Sequence, residues 1–158
     1  MSSKKNIVFF ILILVVVFKI QAQHDKVKWV IYFPDIARVD KTVDILFKAN
    51  IKPHCYIFSV NKKAVNQSKN TSIWFRENGD FKIIEKPEAI YEVEYFNRNN
   101  NQKEYIIEVE GGFALKIKVL KPNPIIKGQI NYVLCNRGTN QEITQVYHFE
   151  IQLKTKNK

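Results

Sequence analysis

Apolar and more polar residues alternate along most of the chain, which is the pattern of half-buried β-strands. The clearest examples are 27–33 and 43–49. Their alternating apolar positions are Val27, Trp29, Ile31, Phe33, Val43, Ile45, Phe47 and Ala49. A period of two places alternate side chains on one face of a strand. Beyond the first 22 residues, no stretch of a dozen positions repeats apolar residues at helical spacing.

Further apolar stretches continue this pattern, with turn signals between them. They are 55–60, 72–86, 104–120, 124–135 and 144–153. Asn78-Gly79 and Gly111-Gly112 each lie between two apolar runs and predict hairpin turns, because such pairs readily adopt the positive φ of tight turns. The prediction is an all-β protein, an immunoglobulin-like antiparallel β-sandwich of about 7–9 strands. A small barrel is the alternative architecture.

The first 22 residues have the layout of a secretory signal peptide. Lys4 and Lys5 precede an uninterrupted apolar run over 7–18, and the small residue Ala22 marks a cleavage point. This run is shorter than the roughly 20 residues that span a bilayer, so an uncleaved anchor is the less favoured reading. We expect a signal peptide over 1–22 and a single domain over 23–158. The mature chain would be periplasmic or secreted, with no membrane span after cleavage.

Composition adds a basic charge without indicating a ligand. The net charge is +10, and removing the three lysines of the signal segment leaves +7. The remaining basic residues are scattered singly along strands, which is typical of solvated faces, and no nucleic-acid-binding signature occurs. None of the three histidines has a second ligand at metal-binding spacing, and no phosphate-binding glycine loop is present. We therefore expect no cofactor, no metal and no nucleic-acid partner.

The two cysteines, Cys55 and Cys135, are the candidates for chemistry. Along 126–135, Ile126, Ile130, Tyr132 and Leu134 fall on one face of the predicted strand, and Cys135 falls on the other face with mostly polar residues. The pattern therefore predicts a partly exposed thiol at the end of a strand, beside Arg137, where a thiolate forms more easily. An inert, half-exposed cysteine is the alternative. In an oxidising compartment the two cysteines could also form one bridge, remain free or pair with another chain.

One stretch around Cys135 resembles a known family. "IKGQINYVLCN" (126–136) is similar to the segment that carries the first redox cysteine in the N-terminal periplasmic domain of the DsbD thiol:disulfide interchange proteins. Trp29, "IKPHCYIFSV" (51–60) and "EKPEAIYEVEYF" (85–96) occur before it in the same order as in this family. The resemblance covers most of 26–153. It implies an immunoglobulin-like sandwich whose cysteine pair relays electrons from a thioredoxin-like domain to disulfide isomerases. It also implies a cap over the pair near 91–96.

The chain departs from this family at the second cysteine, whose place falls on Asn140 or Gln141. A dithiol cycle needs two sulfurs within bonding distance. The resemblance therefore implies a degenerate binding or mixed-disulfide module without autonomous catalysis, with Cys135 as its candidate thiol. Its implied partners are periplasmic thiol-disulfide proteins of the thioredoxin-like or disulfide isomerase type.

Two alternatives remain open for the cysteines. The first is an active thiol–disulfide oxidoreductase, a shuttle that uses Cys135 with Cys55 as the resolving cysteine. The second is a structural immunoglobulin-like module, in which Cys55 and Cys135 form a stabilising bridge or stay as inert thiols.

Overall fold

Strands make up most of the residues that the computed structural model describes, which are 26–60, 67–97 and 101–156. The proposed signal segment, 1–22, lies outside these ranges. The strands are β1 (Val27–Tyr32), β2 (Ile36–Ala37), β3 (Thr42–Ile51), β4 (Cys55–Phe58), β5 (Ser72–Phe75), β6 (Phe81–Ile83), β7 (Glu88–Ile90), β8 (Val93–Asn97), β9 (Gln102–Glu108), β10 (Glu110–Val119), β11 (Ile125–Asn136), β12 (Gln141–Gln152) and β13 (Lys154–Thr155). A 3-10 turn, Gln67–Lys69, precedes β5. No helix among the described residues is long and apolar enough to cross a membrane.

These strands form two antiparallel sheets. The five-stranded sheet has the order β1-β3-β10-β6, with β7 also paired to β10. The six-stranded sheet has the order β12-β11-β4-β9-β8, with β5 also paired to β11. Strands β2 and β13 form a separate short parallel pair. The predicted all-β antiparallel architecture is confirmed, while several strands of two or three residues raise their number above the expected 7–9.

The alternating apolar positions pack between the two sheets. Phe47 of β3 lies opposite Phe113 of β10, and both side chains are fully buried. The ring of Phe47 also lies 4.9 Å from the ring of Phe149 in the other sheet. Burying an aromatic side chain of this kind contributes about 2–3 kcal/mol to folding. Contacts between these rings therefore join the two sheets.

The two predicted glycine hairpins are wrong, because each connection passes between the sheets. Strand β5 pairs with β11 and β6 pairs with β10, so Asn78-Gly79 turns from one sheet to the other. Gly111 and Gly112 lie within β10, and the bend before them is at Val109, which has φ = 61°. Apolar patterns predict where strands begin and end, whereas strand partners depend on contacts distant in sequence.

Gly112 allows β10 to approach β3 closely. A Cβ at this position would lie only 1.9 Å from the carbonyl oxygen of Phe47, which is far inside van der Waals contact. The obstacle is backbone in the middle of a sheet, so a rotamer change cannot relieve it. The glycine is therefore required by packing rather than by a turn.

We expect Gly112→Ala to lower the free energy of unfolding by about 2 kcal/mol or more, because β3 would have to move away from β10. Gly138→Ala is the matched control, since a Cβ there would meet only a side-chain oxygen of Asn136 at 3.3 Å. The control should change stability by less than about 0.5 kcal/mol. Urea denaturation followed by tryptophan fluorescence measures both. Equal midpoints for the two variants would contradict the close approach of β10 to β3.

Candidate functional site

Cys135 lies near the end of β11, on the outer face of the six-stranded sheet. The preceding residue, Leu134, belongs to the core between the sheets, and Cys135 belongs to a separate cluster. In the two flanking strands, Tyr56 of β4 and Glu142 of β12 lie directly opposite the cysteine. The strand parity thus predicted the face of Cys135 correctly.

The expectation of a partly exposed thiol is wrong, because only 3% of the Cys135 surface is accessible. Cys135 forms a small outer cluster with side chains from the neighbouring strands. Its buried members are Cys135, Phe58 and Ile106, and the residues packed against them are Tyr56, Tyr95 and Val133. Apolar side chains thus cover a position that sequence parity assigned to a polar face.

Burial raises the pKa of the Cys135 thiol from its ordinary value of 9.0 to about 12. A hydrogen bond with Tyr56 and the charge of Lys69 lower this pKa, while the carboxylates of Glu142 and Glu104 raise it, but burial is the largest influence. Burial also raises the pKa of the Tyr56 hydroxyl, with Cys135 as the next cause. At neutral pH the thiol is therefore protonated, contrary to the thiolate that the sequence favoured.

Arg137, which was expected to favour a thiolate, lies over two aromatic rings. Its guanidinium carbon is 5.4 Å from the centre of the Tyr56 ring and 5.7 Å from that of Tyr95. It also forms an ion pair with Glu108, at 2.6 Å. Cation–π contacts of this kind contribute about 0.5–1 kcal/mol each at partly exposed sites. Arg137 thus holds the two tyrosines over the outer cluster.

A second cation, Lys69, covers the other side of the cluster. Its ammonium nitrogen lies 5.4 Å from the centre of the Phe58 ring and 2.5 Å from the carboxylate of Glu142. Sequence analysis missed Lys69 and Tyr56, because nothing in their own segments signals contact with Cys135. Tyr95 lies within 91–96, the segment that the family resemblance assigned to a cap, and its packing on the cluster agrees with that position.

A cleft of about 420 Å³ opens at this end of the sheet. Residues with polar tips make up most of its walls. They are Tyr56, Tyr95, Asn97, Cys135, Asn136, Arg137, Asn140 and Glu142. Asn140, at one of the two places where the family has its second cysteine, has φ = 51°, a conformation that asparagine tolerates better than most residues. The cleft therefore offers several hydrogen-bonding groups and one buried sulfur.

Cys55 lies on the opposite face of the same sheet. In the pairing of β4 with β11 it is opposite Asn136, the residue that follows Cys135. Its side chain is 6% exposed and belongs to the core between the sheets. A disulfide requires the two Cβ atoms to point towards each other, whereas Cys55 and Cys135 point to opposite faces. Both thiols are free in the structure.

Metal binding has no support in the ranges described. They contain no group of three histidine, cysteine, aspartate or glutamate side chains placed to hold an ion. The polar groups near Cys135 include the two tyrosines and the ion pairs Arg137–Glu108 and Lys69–Glu142.

Two solved structures share the architecture. The N-terminal domain of DsbD from Neisseria meningitidis, in its reduced form, superposes with a TM-score of 0.50 and 14% identity, covering 77% of this chain and 85% of that chain. The N-terminal periplasmic domain of ScsB from Proteus mirabilis superposes with a TM-score of 0.56 and 10% identity, covering 84% of this chain and 47% of that chain. This chain thus spans about half the length of the ScsB domain. No protein-family model and no curated protein matches the sequence.

These likenesses define the fold class. The chain has an immunoglobulin-like β-sandwich of the DsbD N-terminal kind, and the predicted fold is confirmed. At 10–14% identity the likeness to these two domains concerns the fold alone.

We expect Cys135 to resist alkylation in the folded protein. With a pKa of about 12, far less of the thiol is ionised than at the ordinary value of 9.0. At pH 8 iodoacetamide should therefore react about 50-fold more slowly than with an unstructured cysteine peptide, since the greater nucleophilicity of a high-pKa thiolate offsets part of the lost ionisation, and limited access slows it further. The measurement uses Cys55→Ala, so that Cys135 is the only thiol, and follows the adduct by mass.

Unfolding this variant in urea should restore the ordinary alkylation rate. Adding Tyr56→Ala, which removes the ring over the thiol, should raise the rate in the folded protein. A native rate within about tenfold of the peptide rate would contradict the burial of Cys135.

Proposed function

We propose that the protein is an exported binding domain of the DsbD N-terminal type that does not carry out thiol–disulfide exchange and that receives its partner at the cleft over Cys135. The observation that carries this proposal is a buried, protonated Cys135 with the other cysteine on the opposite face of the sheet. The layout of residues 1–22 supports export, and the ScsB domain of similar fold is described as periplasmic.

Thiol–disulfide exchange requires an attacking thiolate that can reach its target. Cys135 meets neither requirement, because its pKa is raised to about 12 and only 3% of its surface is accessible. The place of the resolving cysteine is taken by asparagine or glutamine at 140–141. These features favour a role without catalysis.

The two alternatives that join Cys55 to Cys135 meet one obstacle. Cys55 shares its face of β4 with Ile57, which is fully buried in the core. Turning Cys55 towards Cys135 would turn Ile57 out of the core as well, because alternate residues of a strand share a face. Exposing a buried isoleucine costs roughly 1.5–3 kcal/mol before any other packing is lost. No observation favours the shuttle or the structural bridge over free thiols.

The cleft keeps features that suit binding. Tyrosine and arginine are the residue types most enriched at the energetic centres of interfaces. The guanidinium of Arg137 lies over the rings of Tyr56 and Tyr95, and the Arg137 side chain is still 45% exposed. The fold relation to DsbD and ScsB domains suggests thioredoxin-like or disulfide isomerase proteins of the periplasm as partners.

The binding role predicts that affinity depends on Arg137 and not on the sulfur. Titration calorimetry with a purified thioredoxin-like periplasmic domain measures Kd. Cys135→Ser should leave Kd within about twofold, while Arg137→Glu should weaken binding about tenfold, because it removes a central cation and its stacking. Arg76→Glu is the control, since it makes the same change of charge at a separate surface that includes Asn78 and Lys127.

Mass spectrometry of the thiol and disulfide states in the same samples tests electron transfer between the two proteins. The reduced protein, mixed with an oxidised partner domain, should keep both thiols while the partner keeps its disulfide. Transfer of electrons to the partner would refute the absence of catalysis. Loss of binding in Cys135→Ser would show that the sulfur, rather than the cleft, holds the partner.

A further inference from the structure

β12 is the outermost strand of the six-stranded sheet and pairs only with β11 among the described residues. This pairing continues through twelve consecutive residues without a bulge, from Gln141 to Gln152. A long, regular edge presents a row of backbone N–H and C=O groups with which a further strand can pair. The edge of β12 is therefore a potential interaction surface.

Edge strands in natural proteins are usually protected by lysine, proline, bulges or short length. The chain contains 25 lysine and arginine residues and 5 prolines, yet "QEITQVYHFEIQ" (141–152) has none of them. The other outer strands are shorter. β1 has six residues and includes Lys28, β8 has five residues, and β6 and β7 have three each. Lysine, arginine and proline are thus missing where the edge is longest.

The side chains of β12 also favour a neighbouring strand. Val146, near the middle, is 45% exposed on the outer face, and Tyr147 is half-buried on the other face. The two carboxylates of the strand, Glu142 and Glu150, form ion pairs with Lys69 and Lys127 of the same chain. An approaching strand therefore meets apolar surface at the middle of the edge and carboxylates that already have counter-ions.

We propose that β12 pairs antiparallel with β12 of a second copy of this chain, which joins two six-stranded sheets across a two-fold axis. In a two-fold interface, residue i contacts j and residue j contacts i. Only two registers, centred on Val146 or on Tyr147, pair nearly the whole strand. Centring on Val146 places Glu142 opposite Glu150, and like charges directly opposite destabilise a strand pair.

The register centred on Tyr147 avoids this repulsion. It places Glu142 opposite Gln152, and Glu150 opposite Thr144. It also places Val146 opposite His148, on the exposed outer face of the joined sheet. We assign this register to the dimer. The inference goes beyond the proposed binding role, because its partner is a second copy and its contacts are made by the edge of β12.

Sedimentation equilibrium of the purified protein over about 5–500 µM tests the pairing, since an edge interface of this size is expected to be weak. A monomer–dimer equilibrium is expected. The double variant Val146→Lys/His148→Lys should raise Kd at least about tenfold, because in the assigned register each introduced ammonium faces another. Circular dichroism confirms that the variant folds.

The matched control is Gln129→Lys/Asn131→Lys. These residues pair with His148 and Val146 across β11 and β12, so the control adds the same charge to the same face, one strand away from the edge. The Kd of this control should lie within about threefold of that of the unmodified protein, because the added charges do not lie directly opposite each other.

Mixing the lysine variant with Val146→Glu/His148→Glu should restore the dimer, because opposite charges then face each other. Failure of the mixture to associate would overturn the pairing of β12, because opposite charges would face each other at position 146 in either register. A protein that stays monomeric at every concentration, or a dimer that the lysine variant does not weaken, would overturn the pairing of β12.

Discussion

The register between β4 and β11 determines what Cys135 can do. Only three residue pairs define it, with Ile57 opposite Leu134, Tyr56 opposite Cys135 and Cys55 opposite Asn136. A slip of one residue would place Cys55 opposite Cys135 on one face and turn Ile57 outwards. Because Ile57 and Leu134 are buried between the sheets, core packing opposes that slip. The same contacts that stabilise the sandwich therefore keep the two sulfurs on opposite faces.

The outer cluster explains why one site combines an unreactive thiol with an accessible cleft. Isolated surface ion pairs contribute little to stability, but here each cation of a pair also lies over an aromatic ring. Arg137 joins Glu108 to the tyrosines, and Lys69 joins Glu142 to Phe58. These contacts hold the rings over Cys135 and leave the polar ends of the side chains towards solvent. The sulfur is thus buried, while the cleft presents hydrogen-bonding groups to solvent.

Sequence analysis predicted the local features of the fold better than the contacts between distant segments. The alternation along 43–49 identified core positions correctly, since Ile45, Phe47 and Ala49 are fully buried. The glycine pairs were misinterpreted because strand partners depend on the opposite sheet. For Cys135, parity predicted the face correctly but not the burial, because the covering rings come from β4 and β8. Contacts of this range have no signal in the local pattern.

The β11–β12 hairpin connects the site to the edge of the sheet. Its twelve consecutive residue pairs lead directly into the turn 137–140, and Arg137 and Asn140 of this turn line the cleft. The burial of Cys135 opposes thiol exchange, because an incoming disulfide must approach its sulfur directly and only 3% of the residue is accessible. The position of this hairpin is therefore consistent with the proposed binding role.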